Sequence, residues 1–125
     1  PFLISQRLPW RRLSFTFERE MLNEYIHDLV DRHLNGDPSR FSELWDLLPN
    51  FENKIGEEIK KQNSWVYLQK ETFDGWYLIE SSNGFELYYQ ERGLVDWGIT
   101  KFSNRRKALT TLLQVATDYR SLGTN

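Results

Sequence analysis

The chain has 125 residues, a formal net charge of −2 and 39% hydrophobic residues, the size and balance of one globular domain with a core that needs no staples. It has no cysteine, which excludes a disulfide framework, thiolate metal ligands and a cysteine nucleophile, and fits a reducing compartment. No apolar run approaches the roughly 20 residues that span a bilayer, and no signal-peptide pattern is present, so no membrane partner is expected.

A single domain over 1–125 is expected, with an N-terminal arm (1–13), a helical part (14–62) and a sheet with a C-terminal helix (64–122). Phe2 to Leu13 mixes apolar and basic residues without a period and is interrupted by Pro9. A helix is predicted from Thr16, which can cap it, with Glu18 and Glu20 in its first turn. Met21, Leu22, Tyr25, Ile26, Leu29, Val30, His33 and Leu34 recur at spacings of three and four and give it an apolar face. Asn35-Gly36 ends it with residues that accept the left-handed conformation. A short helix from about Ser39 to Leu48 gathers Phe41, Leu44, Trp45 and Leu48 and stops at Pro49. Asn50 can cap a third helix, to about Gln62, with Phe51, Ile55 and Ile59 as a narrow stripe.

At Asn63-Ser64 the hydrophobic period changes from 3.6 to 2. Four strands are predicted: Trp65 to Thr72, Trp76 to Ser81, Phe85 to Glu91, and Trp97 to Phe102. Their connections, Phe73-Asp74-Gly75, Asn83-Gly84 and the stretch around Gly93, are short, so the strands should form an antiparallel meander. Ser103 or Asn104 then caps a last helix with Ala108, Leu109, Leu112, Leu113, Ala116 and Tyr119 on its apolar face. Three helices, four strands and a helix packed on the sheet make an α+β domain.

The stretch FELYYQERG, Phe85 to Gly93, carries large side chains on both faces of its strand. Reading Asn83-Gly84 as a two-residue loop and Phe73-Asp74-Gly75 as a three-residue loop sets Leu78 opposite Tyr89 and Ile79 opposite Tyr88, with Val66 and Leu68 beside Leu78. One face then carries Val66, Leu68, Trp76, Leu78, Phe85, Leu87 and Tyr89 and is the core face. The other carries Trp65, Tyr67, Gln69, Glu71, Tyr77, Ile79, Glu86, Tyr88 and Gln90. That mixture is too polar for a sandwich layer and too aromatic for an ordinary wet surface. Tyrosine and tryptophan with few charges match the composition of interface cores. Two readings stand: this face binds a partner, or the N-terminal helices cover it. In the first, Tyr88 belongs to the binding surface or its rim, and Arg92 pairs with Asp96 across a turn closed by Gly93.

Charge is uneven. Residues 14–62 hold 11 acids against 6 bases, whereas residues 63–125 are balanced. An acidic segment favours a basic partner and disfavours nucleic acid. Glu20, Glu24, Asp28 and Asp31 lie on or near one side of the first long helix and can steer such a partner. The one sharp basic cluster, Arg105, Arg106 and Lys107, starts the last helix, where positive charge opposes the macrodipole. It points either at carboxylates elsewhere in the chain or, with Lys101, at an anion or nucleic acid.

Catalytic patterns are missing. His27 and His33 are six apart on one helix and do not converge on a metal. Glu24-x-x-His27 occurs once, where a di-iron bundle needs two copies. There is no phosphate-binding glycine loop and no Gly-x-Ser-x-Gly. Neither an enzyme nor a cofactor is expected.

Gly75-Trp76-Tyr77, then Phe85-Glu86-Leu87-Tyr88-Tyr89-Gln90-Glu91-Arg92-Gly93, then Phe102 followed by a helix with Ala108-Leu109, resembles small bacterial immunity proteins of polymorphic and contact-dependent growth inhibition systems. The likeness covers about a third of the chain, from Gly75 to about Leu113. It implies a cytoplasmic, non-enzymatic protein that binds one toxin domain, often a basic nuclease, and blocks its active site or its approach to substrate. The partner-binding residues expected on that basis are Trp65, Tyr67, Tyr77, Glu86, Tyr88 and Gln90 on the sheet, with Glu20, Glu24, Asp28 and Asp31 on the helix. The competing expectation is an adaptor for nucleic acid or a phosphate ligand that uses Arg105, Arg106 and Lys107.

Overall fold

A computed structural model describes residues 9–62, 65–95, 98–119 and 121–123, and the side chains of these from residue 21 onward except Gln62. Four α-helices and a five-stranded, mostly antiparallel sheet form an α+β fold. Helix α1 spans Pro9–Leu34. It therefore begins within the segment expected to be an arm, and Thr16 is not its cap. Pro9 sits at the first helical position, where its missing N–H has no partner to lose. Residues 1–8 of the expected arm lie outside the described residues.

Asn35 (φ 58°) and Gly36 (φ 81°) end α1 as expected, and the Gly36 N–H reaches back to the Val30 carbonyl at 3.1 Å. The Asp37 N–H reaches the Leu34 carbonyl at 3.1 Å, one of the carbonyls that the last helical turn leaves open. Leu22, Ile26, Leu29, Val30 and Leu34 are buried, but Met21 and His33 are exposed, so the apolar stripe is narrower than its sequence period.

The second helix is two pieces: a 3-10 helix, Pro38–Glu43, and one α-turn, α2, Leu44–Leu47. Asp37 caps the former by accepting from Ser39 N at 3.1 Å. Helix α3 spans Phe51–Gln62 and buries Phe51, Ile55 and Ile59. Helix α4, Arg105–Ala116, is capped by Asn104, whose side-chain oxygen accepts from Lys107 N at 3.0 Å.

The sheet departs from a simple meander at both edges. Strands β2 (Gly75–Ser81) and β3 (Gly84–Glu91) are its centre and pair antiparallel. The expected first strand is cut to β1, Val66–Tyr67, and it pairs parallel to β2 with Val66 beside Trp76 and Tyr67 beside Tyr77. The polar run after Leu68 does not continue along the sheet. It leaves as a loop, and the chain returns at Gly75 (φ 152°), where a side chain would collide with Trp65. On the far side of β3, a broken edge is made by β4 (Leu94–Val95) and β5 (Thr100–Phe102), both antiparallel to β3. Arg92 (φ 54°) and Gly93 (φ 80°) form the β3–β4 turn. Two successive positive φ angles are what a tight hairpin requires. Asp96, the expected partner of Arg92, lies outside the described residues.

The β2–β3 register differs from the expected one by two residues. Ser81 pairs with Gly84, Leu78 with Leu87 and Tyr77 with Tyr88, so the turn residues are Ser82 and Asn83. A two-residue slip leaves every side chain on its face, because strand faces alternate with period 2. Gly84 is needed for another reason: a side chain there would run into the Phe102 carbonyl of β5.

All helices lie on one side of the sheet. Val66, Leu78 and Leu87 join residues of α1, α2, α3 and α4 in one buried core, with Leu68, Trp76, Phe85 and Phe102 packed against it. The chain's last segment closes the helical layer. Leu122 is buried, Gln114 Nε2 donates to the Leu122 carbonyl at 2.7 Å, and Gly123 N–H donates to the Pro38 carbonyl at 3.1 Å.

Truncating Leu87 to alanine is expected to lower unfolding free energy by about 2–5 kcal/mol, as for a buried leucine that leaves a cavity. Urea unfolding measures it. Gly123→Ala is also expected to destabilise, since its methyl group would collide with the Ser39 carbonyl.

Candidate functional site: the tyrosine face of the sheet

The face turned away from the helices is a row of rings. Tyr67, Tyr77 and Tyr88 stand on three neighbouring strands, with centroids 5.0 Å apart for the first pair and 5.3 Å for the second. The Tyr77 and Tyr88 rings lie 5° from parallel. Phe73 continues the row, 5.7 Å from Tyr67. The sequence forms this row because Tyr77 and Tyr88 are direct cross-strand partners and Tyr67 pairs beside Tyr77.

The loop of residues 68–74 folds over part of this row. Tyr77 Oη donates to the Phe73 carbonyl at 2.7 Å. Gln90 Nε2 donates to the carbonyls of Glu71 and Phe73, each at 3.1 Å. Asp74 Oδ1 accepts from Arg92 N at 2.7 Å, tying the loop to the β3–β4 turn. Buried carbonyls need such partners, and the side chains that supply them here are two of the expected binding residues.

Burial raises the phenol pKa of Tyr77 to about 12, with the neighbouring Tyr67, Tyr88 and Glu71 adding to it and the bond to Phe73 opposing it. Tyr88 is raised too, first by burial and then by Glu86.

The expected sheet residues are thus brought together, but not as equals. Tyr77 is 0% exposed and Tyr88 7%. Tyr88 is not a rim residue: its ring is packed in the row. Tyr77 and Gln90 spend their polar groups inside the protein. Trp65, Tyr67 and Glu86 remain partly exposed. The N-terminal helices do not cover the face, since the buried helical side chains described pack on its opposite side. What sequence reasoning missed is the apolar fringe. Phe73 (56% exposed), Val95 (43%) and Ile99 (47%) all belong here. Val95 pairs beside Gln90, and the β3–β5 register, continued by one residue from Leu87–Thr100, sets Ile99 beside Tyr88. Phe73 and Val95 lie beside turn glycines and read as connections, and Ile99, inside the expected strand Trp97 to Phe102, was assigned to neither face. Leu94, 72% exposed, lies at the tip of the same edge.

The acidic residues of α1 do not join this face. Glu24, Asp28 and Asp31 are exposed on the helical side of the molecule, and the side chain of Glu20 lies outside the described residues. Asp28 pairs with Arg32 at 3.3 Å and Asp31 with His27 at 3.3 Å. Among the described residues no group of three or more His, Asp or Glu is placed to hold a metal ion, and no helix is long and apolar enough to cross a membrane.

Two residues of the exposed basic cluster, Arg105 and Arg106, reach carboxylates of the helical layer. Arg106 Nε donates to Glu52 Oε2 at 2.8 Å, and Arg106 Nη1 lies 3.7 Å from Asp46. Arg105 approaches the other Glu52 oxygen at 3.8 Å, and the Arg106 guanidinium sits 5.8 Å from the Trp45 ring centroid. These pairs offset the unfavourable charge at the start of α4 and tie α4 to α2 and α3.

Comparison with protein-family models, with curated proteins and with solved structures finds no match to this chain.

Tyr88→Ala is expected to lower stability as Leu87→Ala does, by about 3–5 kcal/mol for a large ring removed from packed neighbours; thermal and urea unfolding check it. Tyr77 also makes stability fall in alkali. Its folded pKa lies above the ordinary value of 10.0, at about 12. The stabilisation is complete below the unfolded value and is lost as pH rises from about 10 to about 12. Tyr77→Phe should flatten that decline, read as unfolding midpoints across the range.

Proposed function

We propose that this protein is a toxin-neutralising immunity protein, a cytoplasmic binding protein that occludes one cognate bacterial toxin domain through the tyrosine face of its sheet. The observation that carries the reading is the open, apolar fringe of that face. A sheet whose helices all pack on one side normally turns polar residues to water on the other. Here the second side carries a ring row edged by exposed Phe73, Val95 and Ile99. Exposed apolar side chains at the edges of a packed aromatic row suit a protein contact surface. The ring row is a stiff support, and the fringe residues are the groups able to enter a partner.

The adaptor reading, which uses Arg105, Arg106 and Lys107, is less well supported. The guanidinium groups of Arg105 and Arg106 are engaged by Glu52 and Asp46, so an incoming phosphate would have to compete with carboxylates already in place. The resemblance of the Gly75–Leu113 stretch to immunity proteins supplies the class of partner.

The test is co-expression with the C-terminal toxin domain of a large secreted protein encoded beside this chain, read by cell survival and co-purification. Phe73→Glu and Ile99→Glu alter exposed side chains, so folding should persist. Each is expected to cost about 2 kcal/mol or more of binding, as at interface hot spots. Full protection by both variants would put the contact elsewhere. Tight retention of the wild-type chain on heparin at moderate salt would favour the adaptor.

A further inference from the structure

A second surface lies on the helical side, between α1 and the segment that follows α4. Residues Asn23, Glu24, His27, Asp118 and Tyr119 line an open cleft of ≈ 340 Å³. It is a built feature. Asn23 and Asp118 exchange two hydrogen bonds, Asn23 Nδ2 to Asp118 Oδ2 at 3.1 Å and Asp118 N to Asn23 Oδ1 at 2.8 Å. His27 Nδ1 and Tyr119 Oη are 2.7 Å apart, and His27 Nε2 lies 3.3 Å from Asp31. The imidazole is thus held at both nitrogens, and it meets the tyrosine edge to edge through that hydroxyl, with ring centroids 6.4 Å apart.

The walls of the cleft are rings and methylenes, and its rim is anionic. Glu24 and Asp118 border it, and Asp31 and Asp28 lie beyond His27 on α1, where Asp28 pairs with Arg32. An apolar cleft with two aromatic rings in its wall and carboxylates at its edge suits a flat, weakly hydrated cation. A guanidinium stacks on aromatic rings and donates in a fork to carboxylates, which an ammonium does not do. A phenol or an aliphatic group would leave the rim charges unused, and an anion would be repelled.

We infer that this cleft takes an arginine side chain presented by a basic protein partner, its guanidinium stacked against Tyr119 and His27 and its N–H groups directed to Glu24 and Asp118. The inference does not need the tyrosine face to be the main contact. If both hold, the partner meets the protein on two sides, or two partners share it.

The experiment uses the full chain and Nα-acetyl-arginine methylamide as the probe, with the citrulline analogue as a neutral isostere and the lysine analogue as a compact cation. Binding is followed by NMR at the His27 and Tyr119 ring resonances. Arginine should give saturable shifts at both rings, citrulline none, and lysine weaker ones. Glu24→Gln should weaken arginine binding about two- to fivefold, the scale of one partly exposed charge pair. Tyr119→Leu, which keeps apolar bulk but removes the ring, should abolish saturation. Arg120 follows Tyr119 in the chain and lies outside the described residues, so the titration is repeated in Arg120→Gln. Saturation by arginine in either background, with discrimination against citrulline, supports the inference. Equal binding of citrulline, or saturation in neither background, overturns it. Neither result bears on the Phe73 and Ile99 variants, so the two readings fail separately.

Discussion

The stacked pair Tyr77–Tyr88 is the contact on which the two faces of this sheet depend. The two residues are cross-strand partners at the centre of β2 and β3, and their rings lie 5.3 Å apart and nearly parallel. Such a pair resists a one-residue slip, because a slip of β3 would send Tyr88 to the helical side and Leu87 to water and would separate the two rings. The aromatic contact therefore holds the aliphatic core in register, although the tyrosines take no part in that core. Stacking in this geometry adds about 0.5–1.5 kcal/mol to what area burial alone supplies.

The loop of residues 68–74 follows from the same pair. Three tyrosines in a row bury their rings against one another but leave hydroxyls and loop carbonyls to be satisfied. The Tyr77 hydroxyl takes the Phe73 carbonyl, and the Gln90 amide takes that carbonyl and the one from Glu71. With those bonds in place the chain need not continue as a strand after Leu68, and β1 can be as short as two residues. A parallel pair normally requires a long crossover. Here the return is short, and it is held by side-chain hydrogen bonds and by the close approach of Gly75 to Trp65.

Much of this was legible in the sequence, and the failures have physical causes. The α+β class, the central hairpin, the Asn35-Gly36 stop and the Asn104 cap follow from periodicity and turn chemistry. The membership of the core face follows from alternation alone, which is why a register wrong by two residues still sorted Val66, Leu78 and Leu87 correctly. The first strand was read too long because Trp65 to Leu68 look like a strand and nothing local stops it in the polar run that follows; the Gln90 amide captures the carbonyls of Glu71 and Phe73 from 19 and 17 positions away. Tyr88 was assigned to a rim because composition distinguishes a ring that meets solvent from one that meets another ring only through the neighbours it finds. The start of α1 was placed late because Pro9 was read as an interruption, when a proline at the first helical position is a beginning.

The distribution of charge shows how a tally by segment and a folded surface differ. The basic residues at the start of α4 and the acidic residues of the helical part look like separate patches in the sequence, one for an anion and one for a cation. Folding brings some of them together, and Glu52 and Asp46 meet Arg105 and Arg106. Partly exposed pairs of this kind add only about 0–1 kcal/mol each, so their larger effect is on what the surface presents. They occupy the two arginines of the basic cluster with carboxylates, whereas Glu24, Asp28 and Asp31 of α1 and Asp118 stay exposed on the helical side. A partner steered by charge would approach one side of the sheet, and a partner held by apolar contact would sit on the other. The apolar part of that other side continues to the broken edge of β4 and β5, where Leu94, Val95 and Ile99 are exposed.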